Sequence, residues 1–157
     1  MTTTVTHKTF TIERELPASP KHAFRFWSDQ KLKRAWNDCH PDWITLEDSF
    51  DFRVGGIEAK SWRMPDGAEL AFRADYFDIV AERRIIYGFE MSHGGKRISA
   101  SLATIELLPE AGRTRMRFTE QLAFLGTPEA MAARITGTET GFDRLVEILA
   151  RETASVH

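Results

Sequence analysis

Polar and apolar residues alternate along residues 8–16, with Phe10, Ile12 and Leu16 set against Thr9, Thr11, Glu13 and Glu15. That period of two predicts a strand with one buried face, and Pro17 ends it. Ser19 and Pro20 follow as an N-cap and a first helical residue. Ala23, Phe24 and Trp27 then give a short helix an apolar side, and "QKLKRAW" predicts a second one with Leu32, Ala35 and Trp36 together. Beyond the loop "NDCHPDW" the period of two returns and persists from Trp43 to Leu125. It predicts six strands: "WITLEDSFDF", "IEAKSWRM", "ELAFRADYFDIV", "IIYGFEM", "RISASLATIELL" and "TRMRFTEQLAFL". Their connections are Gly55-Gly56, Pro65-Asp66-Gly67, "AERR", His93-Gly94-Gly95 and "PEAGR". These are turn residues that supply positive φ or fix φ. Short polar turns between successive strands imply an antiparallel meander.

The final segment changes period. Thr127 caps a helix opened by Pro128, and Met131, Ile135, Thr138, Phe142, Leu145 and Leu149 form one stripe at spacings of three and four. The fold class is therefore α+β: a seven-strand antiparallel sheet, two short helices after the first strand, and one long C-terminal helix. A single helix is too narrow to cover so wide a twisted sheet. The sheet must curl around it, and a hollow between the two is expected.

Register arguments nominate residues for that hollow. Ala103, Ile105 and Leu107 share a face with Ser99 and Ser101, and Met116, Phe118 and Leu122 share one with Glu120. Arg14 lies among Phe10, Ile12 and Leu16. An inward Arg14 and Glu120 would either orient or act on a ligand, or pair with each other, or reach a wet rim. Glu120 and Tyr87 are the candidates for acid–base chemistry, since burial raises a carboxyl pKa. Trp36, Trp43, Phe72, Tyr76 and Tyr87 are the aromatic candidates for a pocket lining, with core packing as the alternative. Gly137 and Gly141 each cost a helix ~1 kcal/mol relative to alanine. They serve either close packing or space for a ligand beside Thr138.

The composition narrows the classes. The 157 residues are 42% hydrophobic and 28% charged, with net charge −2, which fits one globular domain and gives no electrostatic footprint for nucleic acid. No apolar run approaches a membrane span. The lone Cys39 forms no internal disulfide, and "MTTTVTHKT" has no signal-peptide character. A cytoplasmic location is expected, as a monomer or as a homodimer formed through sheet edges. Cys39 and His40 are adjacent, which suits neither shared metal ligation nor a nucleophile–base pair. Phosphate-loop and dinucleotide motifs are absent, so no cofactor is expected.

Several segments, in this order, carry a resemblance: "DFRVGG", "YFDIVAERRIIYGF", "SLATIEL", "GRTRMRFTE" and "GTETGFDRLVEIL". Together they resemble the activator-of-heat-shock-protein-90-ATPase homologue family, of the START and pollen-allergen-like superfamily with the helix-grip fold. The likeness spans roughly residues 8 to 150. A single domain over 8–151 is expected, with 1–7 and 152–157 as flexible tails. Two positions depart from the family pattern: Ala81-Glu82-Arg83-Arg84 lacks the usual prolines, and Gly141-Phe142 replaces a Gly-Trp pair. The resemblance implies a hydrophobic ligand cavity. Some superfamily relatives are cyclases or aromatases acting on polyketides, and others only bind or transport. Three functions follow as expectations. The first is binding of a hydrophobic small molecule through Arg14, Trp36, Trp43, Phe72, Tyr76, Tyr87, Ser101, Phe118, Glu120, Thr138 and Gly141. The second is a cyclase, dehydratase or hydrolase in the same cavity. The third is a chaperone-regulating module, for which Lys31, Lys33 and Arg34 form a small positive patch.

Overall fold

The computed structural model describes residues 5–37 and 42–155. In chain order the elements are β1 (Thr6–Leu16), α1 (Pro20–Ser28), α2 (Gln30–Asn37), β2 (Ile44–Phe50), β3 (Ile57–Arg63), β4 (Glu69–Val80), β5 (Arg84–His93), β6 (Lys96–Glu110), β7 (Arg113–Phe124) and α3 (Pro128–Ser155). The strands form one antiparallel sheet in the order β1-β7-β6-β5-β4-β3-β2. The predicted meander runs from β2 to β7, and β1 closes onto β7 with Ile12 opposite Phe118. The sheet curls around α3 without closing, so β1 and β2 remain its two edges.

The predicted caps are in place. Ser19 Oγ accepts from the His22 amide at 3.2 Å, and Thr127 Oγ1 accepts from the Ala130 amide at 3.1 Å, satisfying donors that a helix start leaves open. The double glycine works differently from a simple hairpin turn. Only Gly55 has positive φ, at 85°. Gly56 is required by close approach, because a Cβ there would lie 2.0 Å from the Asp51 carbonyl oxygen. The tight loop is pinned to β4 by Gly55 N to Tyr76 O at 2.8 Å and Tyr76 N to Gly56 O at 3.1 Å. That pinning ends β2 at Phe50, short of the Phe52 expected from the alternation.

Helix α3 divides into two unlike halves. Phe142, Leu145 and Leu149 are buried in the main core with Leu16, Phe26, Ile105 and Met116. Phe142 stacks on Trp36 at 5.6 Å and tilts against Phe118 at 5.1 Å. Met131, Ile135 and Thr138, further up the same stripe, are only half-buried. The stripe therefore meets the sheet at its C-terminal end and stands off at its N-terminal end.

Gly56→Ala is expected to lower unfolding free energy by about 2 kcal/mol, the scale of forced overpacking, with the loop's hold on Tyr76 lost first. Urea denaturation against wild type measures it.

Candidate functional site

Under the raised half of α3 lies a hollow of about 690 Å³. The sheet contributes Phe72, Tyr87, Phe89, Met91, Phe118 and Glu120, and α3 contributes Ala133, Arg134, Gly137, Thr138 and Gly141. An end wall comes from Lys33 and Trp36 of α2, Trp43 just before β2, and Lys60 and Trp62 of β3. A Cβ on Gly137 would meet nothing within 4 Å, and one on Gly141 would only touch the Trp36 ring at 3.9 Å. Neither glycine is there for close helix–sheet packing. Both leave room.

Two buried polar clusters flank this space. In the first, Glu120 Oε2 accepts from Ser101 Oγ and from Arg134 Nη2, each at 2.6 Å. Arg134 also donates from Nη1 to Ser99 Oγ at 3.3 Å, and its guanidinium lies 5.2 Å from the Phe89 ring centre. In the second, Glu58 Oε1 accepts from Lys33 Nζ at 2.6 Å and from the Tyr76 hydroxyl at 2.7 Å. Glu58 and Glu120 are almost wholly buried, at 0% and 1% exposure. Charges so placed persist only when paired, because desolvation of an unpaired carboxylate costs several kcal/mol. The second oxygens, Glu58 Oε2 and Glu120 Oε1, are buried without a hydrogen-bond partner among the described residues.

Burial, then the Glu58 carboxylate that accepts its proton, pushes the Tyr76 phenol far above its ordinary value. Burial raises Tyr87 as well, with the Glu120 and Glu58 charges adding to the effect and Arg134 opposing it. In both cases the cause is that a phenolate here would be poorly solvated and would face negative charge.

The sequence-predicted residues separate on this geometry. Trp36, Trp43, Phe72, Tyr87, Phe118, Glu120, Thr138 and Gly141 all border the hollow. Arg14, Tyr76 and Ser101 do not. Arg14 is on the helix side of the sheet, opposite Met116. It does not meet Glu120: its Nε donates to Asp143 at 2.7 Å and Nη2 lies 3.7 Å from Glu139, on the flank of α3. Tyr76 is turned toward Glu58. Ser101 supports Glu120 from behind. The positive patch expected on α2 is largely engaged, with Lys33 directed inward to Glu58 and Arg34 paired with Asp48 at 2.6 Å. Cys39 and His40 lie outside the described residues.

Arg134, Glu58 and Lys60 were not singled out by the sequence, and Lys33 was named only as part of the α2 patch. Arg134 had a legible signal, since it sits one turn before Thr138 and two before Gly141, on the inner stripe. Glu58, Lys60 and Trp62 alternate along β3 and share one face. Among the described residues no group of three or more His, Cys, Asp or Glu could hold a metal ion, and no helix is long and apolar enough to cross a membrane.

The comparisons with known proteins agree with this architecture. Residues 17–152 match the family described as Activator of Hsp90 ATPase homolog 1-like protein, and the chain belongs to that family. A putative uncharacterized protein from Rhizobium leguminosarum is similar in structure, with 44% identity, TM-score 0.87, and coverage of 94% of this chain and 97% of that one. A protein from Rhizobium loti shows 38% identity and TM-score 0.83 over 92% of this chain and 98% of its own. A Chromobacterium violaceum protein, at 21% identity and TM-score 0.73 over 90% of this chain and 96% of its own, shares the fold. No curated protein matches the chain.

Two outcomes are expected. Arg134→Met should cost about 3 kcal/mol, because it strands a buried carboxylate, whereas Arg134→Met with Glu120→Leu should recover much of the loss; a double-mutant cycle by denaturation tests this. Tyr76 and Tyr87 are the chain's two tyrosines, and both phenols are shifted upward. The unfolded chain gives up these protons near pH ~10, but the folded protein keeps them. Stability is thus undiminished below that pH and falls as pH rises above it. Tyrosinate absorbance should stay flat past that point and then rise together with loss of the folded circular dichroism signal.

Proposed function

We propose that this protein binds a small, mostly apolar molecule in the hollow between the sheet and α3. The observation that carries the reading is the space itself: about 690 Å³, with nine aromatic side chains among the residues that line it. That volume falls within the ~300–1,000 Å³ common for ligand pockets, which pair apolar walls with a few placed polar groups. The mid-helix glycines favour the same reading, because alanine at Gly137 would suit the helix better and would meet no neighbour.

Binding is favoured over catalysis by the state of the two acid–base candidates. Glu120 Oε2 is already held by Ser101 and Arg134, the arrangement of a charge in a supporting pair. The Tyr87 phenol holds its proton too firmly to serve as a base near neutral pH. Membership of a family described by chaperone-ATPase activation supplies the other reading, in which an outer surface does the work and the hollow has no occupant.

The test uses N-phenyl-1-naphthylamine, which fluoresces brightly only in apolar surroundings. Saturable binding at one site per chain is expected. Gly137→Phe, which projects a ring into the hollow, should weaken it at least tenfold while leaving the circular dichroism spectrum unchanged. Gly137→Ala should raise unfolding free energy by about 1 kcal/mol. Absence of saturable binding, or binding indifferent to Gly137→Phe, would count against the proposal.

A further inference from the structure

The Trp36 end of the hollow carries hydrogen-bond donors that the fold leaves without acceptors. The rings of Trp27, Trp36 and Phe142 stand in a row there, Trp27 meeting Trp36 at 5.5 Å and Phe142 stacking on Trp36 at 5.6 Å. Trp27, Trp36, Phe142 and Arg144 all line the space. The two indoles differ. Trp36 Nε1 donates to the Phe26 carbonyl at 2.9 Å. Trp27 is 3% exposed, and its Nε1, the polar atom of that side chain, has no acceptor among the described residues. Buried donors are nearly always paired, because an unmade bond leaves their desolvation uncompensated.

Arg144 also reaches Trp36. Its Nη1 donates to the Trp36 carbonyl at 2.8 Å, which holds the guanidinium at the C-terminal end of α2. That cap uses one of the several N–H donors a guanidinium carries. Two other lining cations are matched by buried carboxylates, Lys33 by Glu58 and Arg134 by Glu120. Arg144 forms no ion pair among the described residues. Glu120 is the lining carboxylate among the described residues, and it is held by Arg134 toward the other end of the hollow. Residues 134 and 144 of one helix lie about 15 Å apart along its axis. The Trp36 end is therefore rich in donors and positively charged, and the carboxylate is remote from it.

We propose that the hollow takes an amphipathic acid, an apolar body bearing one carboxylate. The carboxylate pairs with Arg144 at the Trp36 end, with the Trp27 N–H as a second donor, and the body extends among Phe72, Phe89 and Phe118. A guanidinium and a carboxylate match in planar, two-bond geometry. The reverse orientation would set the carboxylate beside Glu120, where like charges repel. A cationic ligand would meet Arg144 with no carboxylate at hand to offset it. This inference rests on the hollow being a ligand site, and it adds the class of ligand.

Four probes of one shape separate the possibilities: 2-naphthoate, an anion at neutral pH; 2-naphthamide, its neutral isostere; 2-naphthylmethylamine, a cation; and 2-methylnaphthalene, which has no polar head. Binding is measured by isothermal titration calorimetry on wild type, Arg144→Gln, Arg144→Lys and Trp27→Phe. Wild type should bind 2-naphthoate about tenfold tighter than 2-naphthamide, the margin of a charge-assisted over a neutral hydrogen bond, and the amine most weakly. Arg144→Gln keeps an N–H for the Trp36 carbonyl and loses the charge. It should lose the preference for 2-naphthoate while binding 2-methylnaphthalene within about twofold of wild type, which also reports that the variant is folded. Arg144→Lys should keep most of the preference. Trp27→Phe should weaken 2-naphthoate about fivefold and leave 2-methylnaphthalene nearly unchanged. Equal binding of 2-naphthoate and 2-naphthamide by wild type overturns the acid assignment whatever the variants do. Tightest binding of the amine overturns the sign of the site. A preference for 2-naphthoate that survives Arg144→Gln overturns the role of Arg144, and undiminished binding by Trp27→Phe overturns the second donor. Binding of 2-methylnaphthalene alone overturns this inference and keeps the hollow as a ligand site, whereas failure of all four probes overturns both.

Discussion

The raised half of α3 reaches the sheet through a buried ion pair, Arg134 to Glu120, at 2.6 Å. That pair spans a gap that hydrocarbon does not fill. At the other end of the helix, Phe142, Leu145 and Leu149 are packed into the core, so α3 is anchored by burial at one end and propped by charge at the other. The difference matters because apolar contact draws surfaces together in proportion to area, whereas a hydrogen-bonded ion pair holds a defined distance. The hollow exists where the second mode replaces the first.

Such a prop is costly. A buried pair recovers little more than its own desolvation, and an apolar replacement of similar volume is often no less stable. Here both partners are nearly enclosed, with side-chain exposures of 12% and 1%. Ser99 and Ser101 supply further hydrogen bonds to them. Lys33, Glu58 and Tyr76 repeat the arrangement at the other end of the hollow, where α2 is fastened to β3. The aromatic walls thus have a charged pair on either side. The open position at Gly137, where a Cβ would meet nothing within 4 Å, points the same way.

Membership of the Activator of Hsp90 ATPase homolog 1-like family names the fold without naming the occupant of the hollow, because one fold hosts many functions and the site decides among them. The charged residues on α2 bear on that choice. Lys33 pairs with Glu58 and Arg34 with Asp48, fastening α2 to the sheet.

Much of the architecture was legible in the residues. The strands, both N-caps, the turns and the single long helix rest on periods of two and of three to four, and on near-neighbour sterics. Those depend on a few adjacent residues at a time. The expectation of a hollow rested only on the width of the sheet and the count of helices. The polar partners were a different matter. Arg14 and Glu120 both lie on the helix side of the sheet, yet they do not meet; each pairs with a different turn of α3. The roles of Glu58 and Lys33 were invisible for the same reason. Local periodicity states which face a side chain occupies. Which residue stands opposite depends on where a helix lies across a curled sheet, a relation between segments more than a hundred residues apart in the case of Arg14 and Asp143, and only the tertiary structure decided it.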